Sequence, residues 1–209
     1  MRLGSLVWRA LLFGVTVVGG AVCVFGAGTA GASVSGTLTD KRNDRIYNTT
    51  KIGAKIWMLD NINIETGSSW CYDNDTSNCN AYGRLYDWVT AKTVCPAGWR
   101  LPTVKEFGIF VKTMSDREIA AQKARAKKAT DEEDGDAAST FRFPTILGGG
   151  RYRIGGEYSH IGGYSYWWAG TESANRYAYY RYVNYGNEDV VVDDFDVKEY
   201  GLSVRCLRD

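Results

Sequence analysis

Histidine is almost missing from this chain: His160 is the only one in 209 residues. Multi-histidine metal centres are thereby excluded, and a Ser-His-Asp set would depend on His160 with no nucleophile elbow to support it. No Cys-x-x-Cys pair occurs, which removes the usual half-site of a zinc module. No strand-GxGxxG-helix pattern is present, and the triple glycine Gly148-Gly149-Gly150 lacks the lysine of a P-loop, so nothing here is built to cradle a nucleotide phosphate. Neither sign of charge is in excess. Twenty-five basic residues face 24 acidic ones, and that balance argues against nucleic acid or an anionic membrane surface as a partner.

What is present begins with a leader. Arg2 and Arg9 precede an apolar run from Ala10 to Phe25, and Ala30-Gly31-Ala32 offers a small-residue cleavage site. Residues 1–32 therefore read as a secretory signal peptide, which predicts a secreted or cell-surface protein that meets the membrane only through an uncleaved leader. Cys23 would depart with it. Residues 33–39 read as a small-residue linker, and 40–209 as a single domain, long enough for one sizeable core.

Four cysteines remain: Cys71, Cys79, Cys95 and Cys206. An even count in an exported chain predicts two disulfides with three possible connectivities. The spacing favours Cys71 with Cys79 as a local clip and Cys95 with Cys206 as a long bridge.

Arg45–Tyr47 and Lys51–Met58 read as two strands joined by a turn at Asn48-Thr49-Thr50. Tyr86–Lys92 reads as a short helix that buries Leu85, Trp88 and Val89. In CPAGWRLPTVKEF, residues 95–107, Pro96-Ala97-Gly98 is a turn, Trp99-Arg100-Leu101 is extended, and Pro102 holds its predecessor out of the helical region. Thr103 with Glu106 is a capping box that opens a helix with Phe107, Phe110 and Val111 on its apolar stripe. A charged helical and acidic insertion follows near 115–139, read as solvated. Asp73–Asn78 starts like a calcium loop but puts Arg84 where the bidentate glutamate belongs, so no cofactor is assigned and calcium stays unsupported. Tyr177–Tyr185, Asp189–Val192 and Leu202–Leu207 read as three closing strands, with a turn at Tyr185-Gly186-Asn187.

Six ordered blocks carry a family resemblance. They are Ile56–Asn63, Trp70–Asp75, Tyr82–Trp88, Cys95–Thr103, Tyr166–Trp168 and Gly201–Cys206. Together they resemble the bacterial major paralogous domain family named from Fibrobacter succinogenes, over roughly Asp40 to Asp209. That resemblance implies an α+β, C-type lectin-like fold with short antiparallel strands, two main helices, long irregular loops, and a disulfide tying the region of a helix to the last strand. Trp99–Phe107 is also similar to a stretch of the formylglycine-generating enzymes, but those need a reactive cysteine pair that this chain spends on disulfides.

Lectin-like folds bind on the loops before their final strands, which points to Gly148–Tyr182. There an aromatic ring would stack on a sugar while polar groups grip its hydroxyls. The candidates are Tyr164, Tyr166, Glu172, Asn175, Arg176 and Tyr180. Trp167 and Trp168 read as scaffold, since adjacent strand residues face opposite ways. The calcium-dependent E-P-N, Q-P-D and W-N-D sugar motifs are absent, and so no metal is assigned. The expectation is a non-catalytic binding or adhesion module for a polysaccharide or a surface protein. A structural or assembly role at the cell surface is the alternative, with glycan hydrolysis ranked below both.

Overall fold

The computed structural model describes residues 35–114, 116–117, 146–152, 155–184 and 193–209. The leader, the 115–139 insertion apart from residues 116–117, the turn at 185–187 and the segment 189–192 lie outside them.

Two curled sheets with few helices make an α+β domain. The first holds β1 (Gly36–Asp40), β2 (Arg45–Ile52), β3 (Lys55–Met58) and β12 (Leu207–Arg208) in the order β1-β2-β3-β12, all antiparallel. The second runs β10 (Asp193–Val197), β9 (Tyr177–Asn184), β8 (Tyr164–Ala174), β11 (Leu202–Ser203), β5 (Leu85–Tyr86) and β4 (Ser69–Trp70). Two further strands, β6 (Gly148–Arg151) and β7 (Tyr158–Ile161), attach beside β8. The helices are α1 (Thr76–Tyr82), α2 (Trp88–Ala91) and α3, residues 104–114.

Three local expectations need correction. Asn48-Thr49-Thr50 is not a turn: the β-branched Thr49 and Thr50 are buried within β2, and the chain reverses instead at Gly53, whose φ of 61° suits a residue without a Cβ. Residues 36–39 are not a linker but part of β1, in register with β2 from Gly36 opposite Thr49 to Asp40 opposite Arg45. Helix α2 spans only Trp88–Ala91, because Leu85 and Tyr86 pair as a strand and the Asp87 carboxylate caps the helix by accepting from the Thr90 N–H at 2.8 Å. Val89 is 64% exposed and lies outside the core.

The segment 95–107 forms as its residues dictate. The Trp99 N–H closes a turn on the Pro96 carbonyl, and Arg100 bridges to Leu207 of the last strand. Thr103 Oγ1 accepts from the Glu106 N–H at 3.2 Å, and Glu106 Oε2 accepts from the Thr103 N–H at 2.8 Å. Glu106 is also gripped by both Nη atoms of Arg100, at 2.9 and 2.7 Å, and by Lys55 at 3.0 Å. The capping carboxylate thus ties the start of α3 to β3.

This arrangement makes a pH prediction. The Arg100 fork holds the Glu106 carboxyl well below its ordinary 4.5. A group whose folded pKa is depressed stabilises the fold above its unfolded value and loses that contribution as pH falls toward the folded one. Stability should therefore drop from about pH 4.5 downward. Glu106→Gln should be less stable at pH 7 and show a shallower acid loss, measured as urea midpoints at pH 7, 4 and 3. An unchanged acid slope would refute the assignment.

Both disulfides are formed, Cys71 to Cys79 and Cys95 to Cys206. They fit an oxidising compartment outside the cytosol. Among the described residues, no helix is long and apolar enough to cross a membrane.

The core has two parts, and β8 feeds both. Successive strand residues point to opposite faces, so Trp168 joins Tyr86, Trp88 and Leu202 on one side. Trp167 joins Trp57, Phe107, Phe110 and Leu207 on the other. Both tryptophans are scaffold, at 1% and 0% exposed.

Candidate functional site

The face of β8 that ends in Trp168 carries Tyr166 and Tyr164 at every second position. Strand β9 lies antiparallel, with Tyr182 opposite Tyr166 and Tyr180 opposite Trp168. Period-two spacing on both strands therefore places four tyrosines on one surface. The Tyr164 and Tyr166 rings stack in parallel, 5° apart in orientation with centroids separated by 5.8 Å. Tyr182 sits 5.9 Å from Tyr166, and Tyr180 sits 6.0 Å from it. All four are half-buried, so this shelf presents ring surface to solvent.

Beside the shelf is a cavity of about 150 Å³. Arg151, Tyr152, His160, Tyr166, Asp196 and Tyr200 contribute to its walls, and Tyr180 closes it toward the shelf. Three backbone features assemble it. Gly149, at φ 61°, lets β6 press against β7 so closely that a Cβ would sit 2.4 Å from the Ser159 carbonyl oxygen. Arg151 and Gly201 form an antiparallel bridge that brings Tyr200 to within 5.4 Å of Tyr152. Strand β7 carries His160, at φ 70°, over the shelf, 4.8 Å from Tyr164 between ring centroids.

The polar groups are held in place. Arg151 lies flat on Trp70, with its guanidinium carbon 4.3 Å from the ring centroid. His160 Nδ1 and the Tyr166 hydroxyl share a hydrogen bond at 2.9 Å. Burial pushes the Tyr166 phenol above its usual 10, so it stays a neutral donor and acceptor at any physiological pH.

Chemically, the site offers stacking surface with a few hydrogen-bonding groups at its edge. Asp196 is the one carboxylate among the described residues that line the cavity. Among the described residues, no group of three or more His, Cys, Asp or Glu gathers to hold a metal ion.

Of the six candidates read from the sequence, the structure gathers Tyr164, Tyr166 and Tyr180. Glu172, Asn175 and Arg176 are elsewhere, past a β-bulge between Trp168 and Glu172, near the tip of the β8–β9 hairpin. There Glu172 forms an ion pair with Lys198, the Asn175 carbonyl accepts from Lys198 Nζ at 2.8 Å, and the Arg176 carbonyl accepts from the Lys198 N–H. Lys198 in turn lies over the Trp88 ring. These residues fasten the hairpin and do not reach the shelf.

Tyr182 was findable from the Tyr180-x-Tyr182 spacing alone. Tyr152, Tyr200 and Asp196 were not, because the pairings that bring them in join distant parts of the chain.

The family model described as Fibrobacter succinogenes major domain matches residues 46–208. No curated protein and no solved structure matches the chain.

Proposed function

The chain belongs to the Fibrobacter succinogenes major domain family, and we propose that this member is an exported, non-catalytic binding module that holds a polysaccharide at the cell surface. The single observation that carries this reading is the Tyr164–Tyr166 shelf, two parallel, half-exposed rings flanked by Tyr180 and Tyr182. A pyranose has an apolar face of C–H groups that lies well on such a surface, and its edge hydroxyls can meet Arg151, His160 and Asp196. The cavity falls below the roughly 300–1,000 Å³ of an enclosed small-molecule site. It suits one residue of a longer chain whose neighbours run along the shelf.

A C-type lectin-like arrangement is part of the same proposal. It is supported by the Cys95–Cys206 bridge, which joins the approach to α3 to the segment between the last two strands. A two-carboxylate mechanism of sugar hydrolysis needs a partner for Asp196, which is the one carboxylate among the described residues that line the cavity.

The test is retention on insoluble polysaccharides, screened with a glycan array. Tyr164→Ala with Tyr166→Ala should weaken retention about tenfold or more, as loss of two stacking rings implies; because Tyr166 also packs on the core, retention is compared well below the variant's thermal midpoint. No retention on any glycan, together with stable capture of another exported protein, would instead favour a structural or assembly role.

A further inference from the structure

A second polar groove lies on elements that the tyrosine shelf does not use. The β1–β2 turn, residues 63–65, the end of α1 and Arg84 enclose about 550 Å³. Three arginines line it, Arg42, Arg45 and Arg84, with asparagines between them and Glu65 as the one carboxylate among the described lining residues.

The three guanidinium groups are not equivalent. Arg42 closes on Asp40, with Nε 2.9 Å from Oδ1 and Nη2 2.6 Å from Oδ2, and Asp40 is 2% exposed. Arg84 reaches Glu65 at 3.1 Å, but the Glu65 side chain is 82% exposed, so water and salt screen that pair. Arg45 has no carboxylate partner among the described residues; its Nη2 donates to the Asn80 carbonyl at 2.9 Å. That bond holds one nitrogen of the guanidinium and leaves its Nε and Nη1 for a ligand.

Asp40 and Glu65 offset two of the three guanidinium charges, so Arg45 carries the remaining positive charge of the groove and attracts an anion there. A planar fork matches a carboxylate or sulfate in two hydrogen bonds. The Asn80 amide can both donate and accept, as sugar hydroxyls require, while Asn63 Nδ2 already donates to the Cys79 carbonyl at 2.8 Å. No aromatic ring is among the described lining residues, so the stacking on which single-stranded nucleic acid binding relies is missing here.

We propose that this groove is a second saccharide site, selective for sugar chains bearing carboxylate or sulfate groups. Arg45 is its anion-binding centre, and Glu65 is a built-in competitor for Arg84. The site is separate from the tyrosine shelf and stands or falls independently of it.

The experiment is calorimetric titration of the full chain with polygalacturonate and dextran sulfate, the two sources of charge, and with dextran as the neutral control. Arg45→Gln should weaken binding of the anionic chains about tenfold. Glu65→Gln should tighten it several-fold, a gain that misfolding cannot produce. Tyr164→Ala with Tyr166→Ala removes the shelf's own contribution, and the effects of Arg45→Gln and Glu65→Gln should persist in that background. A preference for polygalacturonate or for dextran sulfate supports the site either way and identifies the anionic group. Binding that ignores both Arg45→Gln and Glu65→Gln, or that is equal for dextran, overturns the proposal. So does a thymidine oligonucleotide that binds as tightly as polygalacturonate.

Discussion

Replacing Cys95 and Cys206 together with alanine should remove about 4 to 5 kcal/mol of stability. The two half-cystines are 111 residues apart in sequence, and in the chain-entropy model a closed loop of that length restricts the unfolded chain by about this amount. The bridge reinforces the pairing of Arg100 with Leu207, which joins the same two segments. Cys95 immediately precedes the turn that leads to Arg100 and the capped start of α3, while Cys206 is fully buried and precedes β12. Removing the Cys71–Cys79 clip, which is only eight residues apart, should cost less, because a short loop is already restricted when unfolded. Urea midpoints of both double-alanine variants would check the order. Equal losses from the two would show that native contacts, not loop length, set the effect. Since whole domains are stable by only about 5–15 kcal/mol, the variant without the long bridge should be close to unfolding at 37 °C.

The local chemistry of this chain was legible, and the long-range pairings were not. Thr103 and Glu106 announce a capping box because both halves of the device lie three residues apart, and the bonds form as written. Both disulfides could be paired because spacing separates a short loop from a long one. Val89 lies outside the core because Leu85, Trp88 and Val89, though at helical spacing, do not share one element: a strand ends and a helix begins between them. The β2 hairpin was misplaced for a related reason: Asn48-Thr49-Thr50 looks like a turn by composition, yet burial of two threonines holds it in the ladder. The shelf was half legible. Alternation along β8 identifies Tyr164 and Tyr166, but Glu172, Asn175 and Arg176 seemed close to them only in sequence, and the β-bulge separates the two groups.

The same alternation that exposes Tyr166 buries its neighbour, so Trp167→Ala should damage both stability and binding. Trp167 is 1% exposed and stacks near Phe107, with ring centroids 6.3 Å apart. Truncating a buried tryptophan costs about 3 to 5 kcal/mol through lost burial and the cavity left behind. Here two polar groups also lose support. The indole N–H donates to Asn61 Oδ1 at 2.8 Å, and the fully buried Arg205 guanidinium lies over the ring at 4.8 Å. Burial already pushes Arg205 down to about 10, a sign of how poorly its charge is solvated there. Taking away the ring face removes part of what offsets that cost. The loss should therefore fall at the upper end of the range, about 5 kcal/mol. Trp167→Phe separates the contributions: it keeps a ring for Arg205 but deprives Asn61 of a donor, and should cost about 1 to 3 kcal/mol. Denaturation followed by far-ultraviolet circular dichroism would rank the three proteins. If alanine and phenylalanine were equally destabilising, the hydrogen bond to Asn61 would outweigh packing. If neither were destabilising, Trp167 would not be the core anchor of β8. Because β8 carries the shelf on its other face, polysaccharide retention should fall with Trp167→Ala even at temperatures where the variant remains folded, and Trp167→Phe should retain most of it.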